Sequence, residues 1–446
     1  MKNYIIIPPC SDFNRGDQAL VWETKRFAEE AGFEGDFYFM AEAKEPVGQS
    51  VNHGLNPIMP ILEHPSKKFK SKDNISLNWK LVLKWGSVSF IDLLWSLLLL
   101  TRLRIVIVPF LSKSKKKTYK LFAESDSIFV KGGGFIHSYG GKTALYYIYF
   151  QLYHIFLAQS LGKDVYVFPN SFGPFEGLGV KPLVKRALKQ AKIVIARELR
   201  SAEMCKNSLG LIVPVYPDFG FYLKNAPIEG RELFINRYKI PKDRKLVAIT
   251  ARPHRFNKNA NPQEAYKMFI ESMRKFAMWL YDNGYYPIFI EHVYAINNHE
   301  NDSFCIREIV KALPLNSYFY YVNRELNCNQ LKQLYAYFDY IVGTRFHSMI
   351  FSMANMVPGI AITYVGNKGE GIMEYMGLED YYICINDVTE KTLIDKFIFL
   401  KDTEEIAKKR INDYLQVSYE KRAELIGLIK NLKDENFVDN IYALER

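Results

Sequence analysis

Cysteine is sparse in this chain, and its few copies stand apart. The five residues Cys10, Cys205, Cys305, Cys328 and Cys384 form no CxxC pair, so zinc and thiol-redox-motif readings are weak. An odd, dispersed set argues against a disulfide framework and suits a reducing compartment. Long hydrophobic runs are lacking too. The most apolar segment, Trp85 to Leu111, is broken by Asp92, Arg102 and Arg104, and its longest uncharged run extends only from Leu93 to Thr101. That is far below the roughly 20 residues a spanning helix needs. The run Tyr4–Ile7 is too short for a secretion signal, lacks a small-residue cleavage site, and is expected to be the first strand. No Walker loop and no GxGxxG spacing occurs, which leaves nucleotide readings without a fingerprint.

What is abundant is positive charge. Lys and Arg total 59 against 48 Asp and Glu, a net charge of +11. This favours phosphorylated substrates, acidic lipid surfaces or nucleic acid. Recognised nucleic-acid motifs are missing, and aromatics do not interleave with the lysine runs, so nucleic acid is not an expected partner. Lys67–Lys72 and Lys113–Lys117 bracket the apolar segment. They read either as solvated loops or as a surface drawn to anionic membrane, at roughly 1 kcal/mol per basic residue. With Trp85, Phe90 and Trp95 between them, the segment suits a core helix or one lying at a lipid interface, followed by a strand at Ile105–Val108.

Hydrophobic content of 48% and charged content of 24% are globular values, and 446 residues suffice for two cores. Short β-branched runs alternate with helical patterns. Strands are expected at Tyr4–Ile7, Ile105–Val108, Ser127–Val130, Val165–Phe168, Ile193–Ala196 and Val213–Tyr216. A second series falls at Leu246–Thr250, Pro287–Glu291, Tyr340–Val342 and Gly359–Ile362. The alternation implies an α/β class with parallel sheets. The expected organisation is two Rossmann-like domains facing a central cleft, at residues 1–225 and 240–400, with a basic and apolar insertion at 63–120. A helical C-terminal tail covers 401–446.

Polar and glycine clusters follow the strands, which marks carboxyl-edge ligand sites. Asn14-Arg15-Gly16-Asp17 follows the first strand, and Asp17 reads as a helix cap or as a carboxylate for a substrate hydroxyl. Gly132-Gly133-Gly134 leaves backbone N–H groups open to an anion or sugar, with His137 and Tyr139 beyond it. Pro169–Phe175 reads as a rigid loop. Arg197, Asp218, Arg252 and the pair Glu291-His292 each end a strand. Gly343-Thr344-Arg345-Phe346-His347-Ser348 lies between an apolar strand and a buried helix, so Arg345 and His347 offer a fixed cation and a proton carrier to one anionic substrate.

This ordered set, from Asn14-x-Gly16-Asp17 through the three glycines, Gly173-Pro174, Arg197 with Ser201, Asp218 and Arg345-Phe346-His347 to Tyr364-x-x-x-Lys368, resembles the polysaccharide pyruvyl transferase family over roughly residues 3–370. The resemblance implies a GT-B-like fold and transfer of pyruvyl from phosphoenolpyruvate onto two hydroxyls of a sugar or lipid-linked oligosaccharide, forming a ketal. It assigns acid/base work to His347, donor binding to Arg345, Arg197 and Lys368, and the acceptor hydroxyl to Asp17. Asn14, Gly132, Gly133, Gly134, Ser348 and Arg252 complete the expected substrate contacts. No metal and no cofactor enter this scheme, and the expected location is cytoplasmic, with peripheral contact to an anionic membrane as the further expectation. Two readings stand beside it: a nucleotide-sugar glycosyltransferase using Glu370 or Glu374 on the ribose, and a non-catalytic protein that binds anionic ligands.

Overall fold

The computed structural model describes residues 2–63, 79–256, 259–295, 300–364 and 367–434, with backbone alone at 79–84 and 367–368. The lysine run 67–72 lies outside the described residues. The chain divides into two compact units. The first takes in the chain up to Asp12, Thr24–Tyr216 and the chain from Glu424. The second holds Phe13–Glu23 and Pro217–Ala423. The passage between them falls at Tyr216–Pro217, ahead of the crossover expected between Asn225 and Arg244, and the stretch carrying Asn14 and Asp17 groups with the second unit.

In the first unit the strands are β1 (Asn3–Cys10), β2 (Asp36–Ala41), β3 (Asn56–Ile58), β4 (Ser127–Val130), β5 (Gly133–Tyr139), β6 (Asp164–Glu176) and β7 (Ile193–Ala196). They form one sheet in the order β3-β2-β1-β4-β6-β5, with β7 also on β6. Every pairing is parallel. Leaving β5 aside, this is the doubly wound order. Alternation along the strands separates two cores. Ile5, Ile7, Ile128, Val130, Val165 and Val167 meet an aliphatic cluster on one side. Tyr4, Phe37, Phe129, Tyr166 and Phe168 point to the other, where Phe33 stands edge-on to Phe129 at 5.0 Å and Phe129 stacks on Phe168 at 5.4 Å.

The second unit holds β8 (Lys245–Thr250), β9 (Tyr285–Ile290), β10 (Phe319–Tyr321), β11 (Tyr340–Gly343), β12 (Gly359–Thr363) and β13 (Tyr382–Cys384). Their order, β10-β9-β8-β11-β12-β13, is the Rossmann order with its switch point between β8 and β11. These pairs are also all parallel. Phe13 and Asn14 attach beyond the end of β9, where Tyr294 N donates to Phe13 O at 3.0 Å and Asn14 bridges Val293. The helix Glu404–Asp434 forms the expected helical C-terminal region.

Three expectations need correction. Ile105–Val108 is not a strand. Thr101 Oγ1 accepts from Leu103 N at 3.1 Å, a short helix runs Arg104–Ile107, and Pro109 enters a 3₁₀ turn at Val108–Phe110. Its β-branched residues found no sheet edge. Val213–Tyr216 makes only a bridge, Ala196 to Val215, because Pro214 has no N–H for a ladder. Pro169–Phe175 is not a loop but the second half of β6. Pro169 is tolerated there because the pairing with β7 shifts register between Val167 and Asn170, and proline is accommodated at such irregularities.

Two buried side chains set expectations for stability. Phe129 is fully buried at the centre of the aromatic face. Phe129→Ala should lower the unfolding free energy by about 3–5 kcal/mol, read from the midpoint of a urea transition monitored by far-UV circular dichroism. His154 is enclosed in the other core, and its Nε2 accepts from Ile61 N at 3.2 Å. Burial, aided by Lys115, pulls its pKa from 6.5 down to about 3. The folded state thus holds this ring neutral, and its contribution is complete above the unfolded value. It is lost as pH falls from 6.5 toward about 3, so the melting temperature of wild type should drop across that window more than that of His154→Gln.

Candidate active site

Four strand ends of the second unit bring their following residues to one edge. After β8 comes Arg252, after β9 Glu291 and His292, after β11 Thr344 and Arg345, and after β12 Tyr364. Backbone and hydroxyl contacts tie these ends together. Thr344 N donates to Thr250 O at 3.0 Å, and Arg252 N donates to Thr344 Oγ1 at 2.8 Å. Ser348 is fully buried, and its hydroxyl donates to Arg345 O at 2.6 Å and shares a hydrogen bond with Thr250 at 2.9 Å. It is enclosed as a fastening between β8 and the helix Phe346–Met353, not presented as the substrate contact expected of it.

His347 sits in the first turn of that helix with a side chain one-fifth exposed. Its Nε2 faces Asp218 Oδ1 at 3.8 Å, and Asp218 is fully buried. The same carboxylate accepts from Gly220 N at 2.7 Å, capping the 3₁₀ turn Phe219–Tyr222. Asp218 therefore both caps and faces the imidazole. The Pro217-Asp218 step was its sequence signal. The opposite side of the ring is closed by Gly16, where a Cβ would lie 2.4 Å from His347 Nδ1. Only glycine admits this approach. Beside it, Asn14 rather than Asp17 caps the helix Arg15–Glu30, which begins at Arg15 and not at Gln18, where a cap at Asp17 would have started it. Asp17 N donates to Asn14 Oδ1 at 3.3 Å, and Asn14 Nδ2 donates to the Asp17 carboxylate at 2.7 Å.

Arg345 is clamped. Its Nε donates to Asp302 Oδ1 at 2.8 Å, Nη2 reaches the same oxygen at 2.7 Å, and Nη2 also donates to Glu300 O at 2.5 Å. Asp302 Oδ2 accepts from His292 N at 3.0 Å and Val293 N at 2.9 Å. Burial pushes the Asp302 carboxyl above its ordinary pKa, with Arg345 pulling the other way. His292 is held well below its ordinary value, first by burial and then by the positive neighbours His347, Arg345 and Arg15. Its Nδ1 lies 3.3 Å from Tyr335 OH, and Nε2 has no hydrogen-bond partner among the described residues. Arg252 lays its guanidinium 4.6 Å over the Tyr364 ring. Asp302 went unread in the sequence; the Asn301-Asp302 helix start was its only trace. The side chain of Lys368 lies outside the described residues. Glu370 and Glu374 reach Thr363 at 3.2 Å and Tyr382 at 3.4 Å within their own unit.

The remaining expected residues belong to the first unit. Gly133 and Gly134 open β5 instead of forming a free loop; Gly133 pairs with Asn170 and has φ of +137°, a conformation that favours glycine. Gly132 precedes them between β4 and β5. Arg197 is buried after β7, and its Nε donates to Ser171 Oγ at 2.7 Å. Its neighbour Glu198 caps the helix Leu199–Leu209, accepting from Ser201 N at 2.6 Å, and burial raises its pKa.

Two Rossmann-like units with a cationic, imidazole-bearing carboxyl edge define a GT-B-like α/β protein. Solved structures share the fold over nearly the whole chain. A glycosyltransferase from Rickettsia africae ESF-5 matches with a TM-score of 0.54, 11% identity and 98% and 99% of the two chains. Anabaena Alr3699/HepE, solved with UDP-glucose, matches with 0.53, 10% identity and 97% and 99%. The family model for polysaccharide pyruvyl transferase matches residues 14–367, and the chain belongs to that family. A curated relative, the amylovoran biosynthesis protein AmsJ of Erwinia amylovora, is 25% identical over 298 residues, covering 64% of this chain and 68% of its own.

The clamp on Arg345 yields a measurable expectation. Asp302→Asn leaves a nearly buried guanidinium without its counter-charge and should cost about 3–5 kcal/mol, seen as a lower urea midpoint.

Proposed function

We propose that the chain transfers the pyruvyl group of phosphoenolpyruvate to two hydroxyls of a sugar in a polysaccharide or its lipid-linked precursor. Family membership supports the reaction class. The observation that carries the site assignment is His347, held between Gly16 and the buried Asp218 carboxylate at the switch-point edge.

In this scheme His347 protonates the methylene carbon of phosphoenolpyruvate, and C2 becomes an oxocarbenium centre. One sugar hydroxyl attacks C2 and releases its proton. The C2–O bond to phosphate breaks, and phosphate departs with a proton. The second hydroxyl adds to C2 and closes the ketal. The diol thus loses two protons, one of them accounting for the new methyl group and the other leaving with phosphate. A fixed carboxylate facing the ring suits a residue that must hold a proton. Arg345, with Nε and Nη2 committed to Asp302, has Nη1 to offer the donor's carboxylate or phosphate, and Arg252 is the second cation on this edge. Preorganised charge of this kind stabilises the departing phosphate without reorganisation. Lys368 and Arg197 are assigned to donor binding, and Asn14, Asp17 and the glycines Gly132–Gly134 to the acceptor. An intracellular donor puts the reaction on the cytoplasmic side.

Phosphate release from phosphoenolpyruvate should require an aryl or lipid-linked glycoside acceptor. His347→Ala should reduce kcat by roughly 10²–10⁴-fold. Asp218→Asn should reduce it about tenfold, the size of one contact of about 1.4 kcal/mol. Nucleotide release from a nucleotide sugar, with none of phosphate from phosphoenolpyruvate, would replace this reading with the glycosyltransferase one.

A further inference from the structure

The helix Trp79–Leu99 in the first unit turns apolar side chains outward and buries two polar ones over its described second half. Asp92 and Ser96 are 5% and 0% exposed, whereas Phe90, Ile91, Leu94 and Leu97 are 62%, 59%, 49% and 43% exposed. Residues three and four apart share a helix face, so the four apolar side chains form one outward stripe, and the polar pair shares the inward side with the fully buried Leu99. The inward side is satisfied: Asp92 accepts from Trp95 Nε1 at 2.9 Å, and Ser96 Oγ lies 3.0 Å from Tyr149 OH. The inversion continues along the chain. Leu103, Ile105, Val106 and Phe110 are 55%, 79%, 59% and 84% exposed. Scattered exposed leucines are ordinary, but a contiguous apolar surface of this extent marks a contact.

The next helix, Lys113–Glu124, adds charge. It buries Thr118 and Phe122 and turns Lys113, Lys116, Lys117 and Lys120 outward, again at helical spacing. Lys115 stands 4.6 Å from the centre of the Trp95 ring and joins the two helices. Between Trp85 and Ala123 the only acidic residue is Asp92, which is buried; Glu124, beyond it, is paired with Lys120 at 3.6 Å. Among the described residues no helix is long and apolar enough to cross a membrane.

We propose that this surface docks on an anionic phospholipid leaflet, with Ile105 and Phe110 entering the headgroup–acyl boundary and the lysine stripe meeting lipid phosphates. An apolar stripe edged by cations is the pattern of a helix lying in the interface plane. A second copy fits less well, because a two-fold contact would set the same lysine stripes against each other. A protein partner fits less well too, since lysine is depleted at such interfaces. Docking would deliver a lipid-linked acceptor to the enzyme; that last consequence rests on the proposed reaction, and the docking itself does not.

Full-length protein should sediment with phosphatidylglycerol–phosphatidylcholine vesicles, without substrate, and not with phosphatidylcholine alone; added salt should weaken the association. The double substitution Ile105→Asp and Phe110→Asp changes two well-exposed side chains, so circular dichroism should be unaltered while binding is lost. Replacing Lys113, Lys116, Lys117 and Lys120 with Gln should weaken binding by roughly fivefold per lysine. Turnover with a soluble glycoside should be unchanged in both variants, which separates this proposal from the reaction. Absence of wild-type binding, or equal binding by the variants, would overturn it. So would a concentration-dependent dimer that the double substitution abolishes while no vesicles are bound.

Discussion

One buried carboxylate organises the carboxyl edge of the second unit. Asp302 receives two backbone N–H groups from the chain leaving β9 and two guanidinium nitrogens from the residue leaving β11. Every part of this arrangement is needed. A carboxylate at zero exposure is costly unless paired, and an arginine beside a hydrophobic core is costly without it. Together they fix the backbone on which Arg345 caps the helix carrying His347. The clamp occupies the Nε and Nη2 edge of the Arg345 guanidinium and leaves Nη1 outside it.

The imidazole is positioned by a different kind of constraint. Gly16 and Asp218 come from distant parts of the sequence, and the ring lies between them. A methyl group at Gly16 would overlap the ring, so the approach depends on the absence of a side chain as much as on the presence of the carboxylate. The first turn of the helix Arg15–Glu30 thus serves the second unit, although most of its chain neighbours on both sides group with the first. The segment Phe13–Glu23 brings to the second unit a contact that its own sheet does not supply.

The inverted helix Trp79–Leu99 shows the reverse relation between composition and burial. Phe90, Ile91, Leu94 and Leu97 face out, while Asp92 and Ser96 face in beside the buried Leu99, both polar groups hydrogen-bonded. An exposed apolar stripe of this kind is the surface on which the proposed docking rests.

Local pattern by itself determined much of this protein. Strands such as Ser127–Val130, Ile193–Ala196 and Leu246–Thr250 were legible because fully buried parallel strands are continuous β-branched runs. The positions of Arg252 and Arg345 at the carboxyl edge were legible because each follows a short apolar run that reads as a parallel strand. Other features had no local signature. Ile105–Val108 has the composition of a strand and became helical because no sheet edge received it. The three-residue edge strands β10 and β13 are too short for any periodicity to show. Asp302 reads as a helix start, and Ser348 as a polar rim residue, until the partner strands are in place. Only the tertiary structure decided that Arg345 is clamped, that Gly16 closes on His347 and that the polar side of Trp79–Leu99 turns inward. Each of these depends on groups remote in sequence competing for the same buried space, and that competition is settled by packing and desolvation rather than by local propensity.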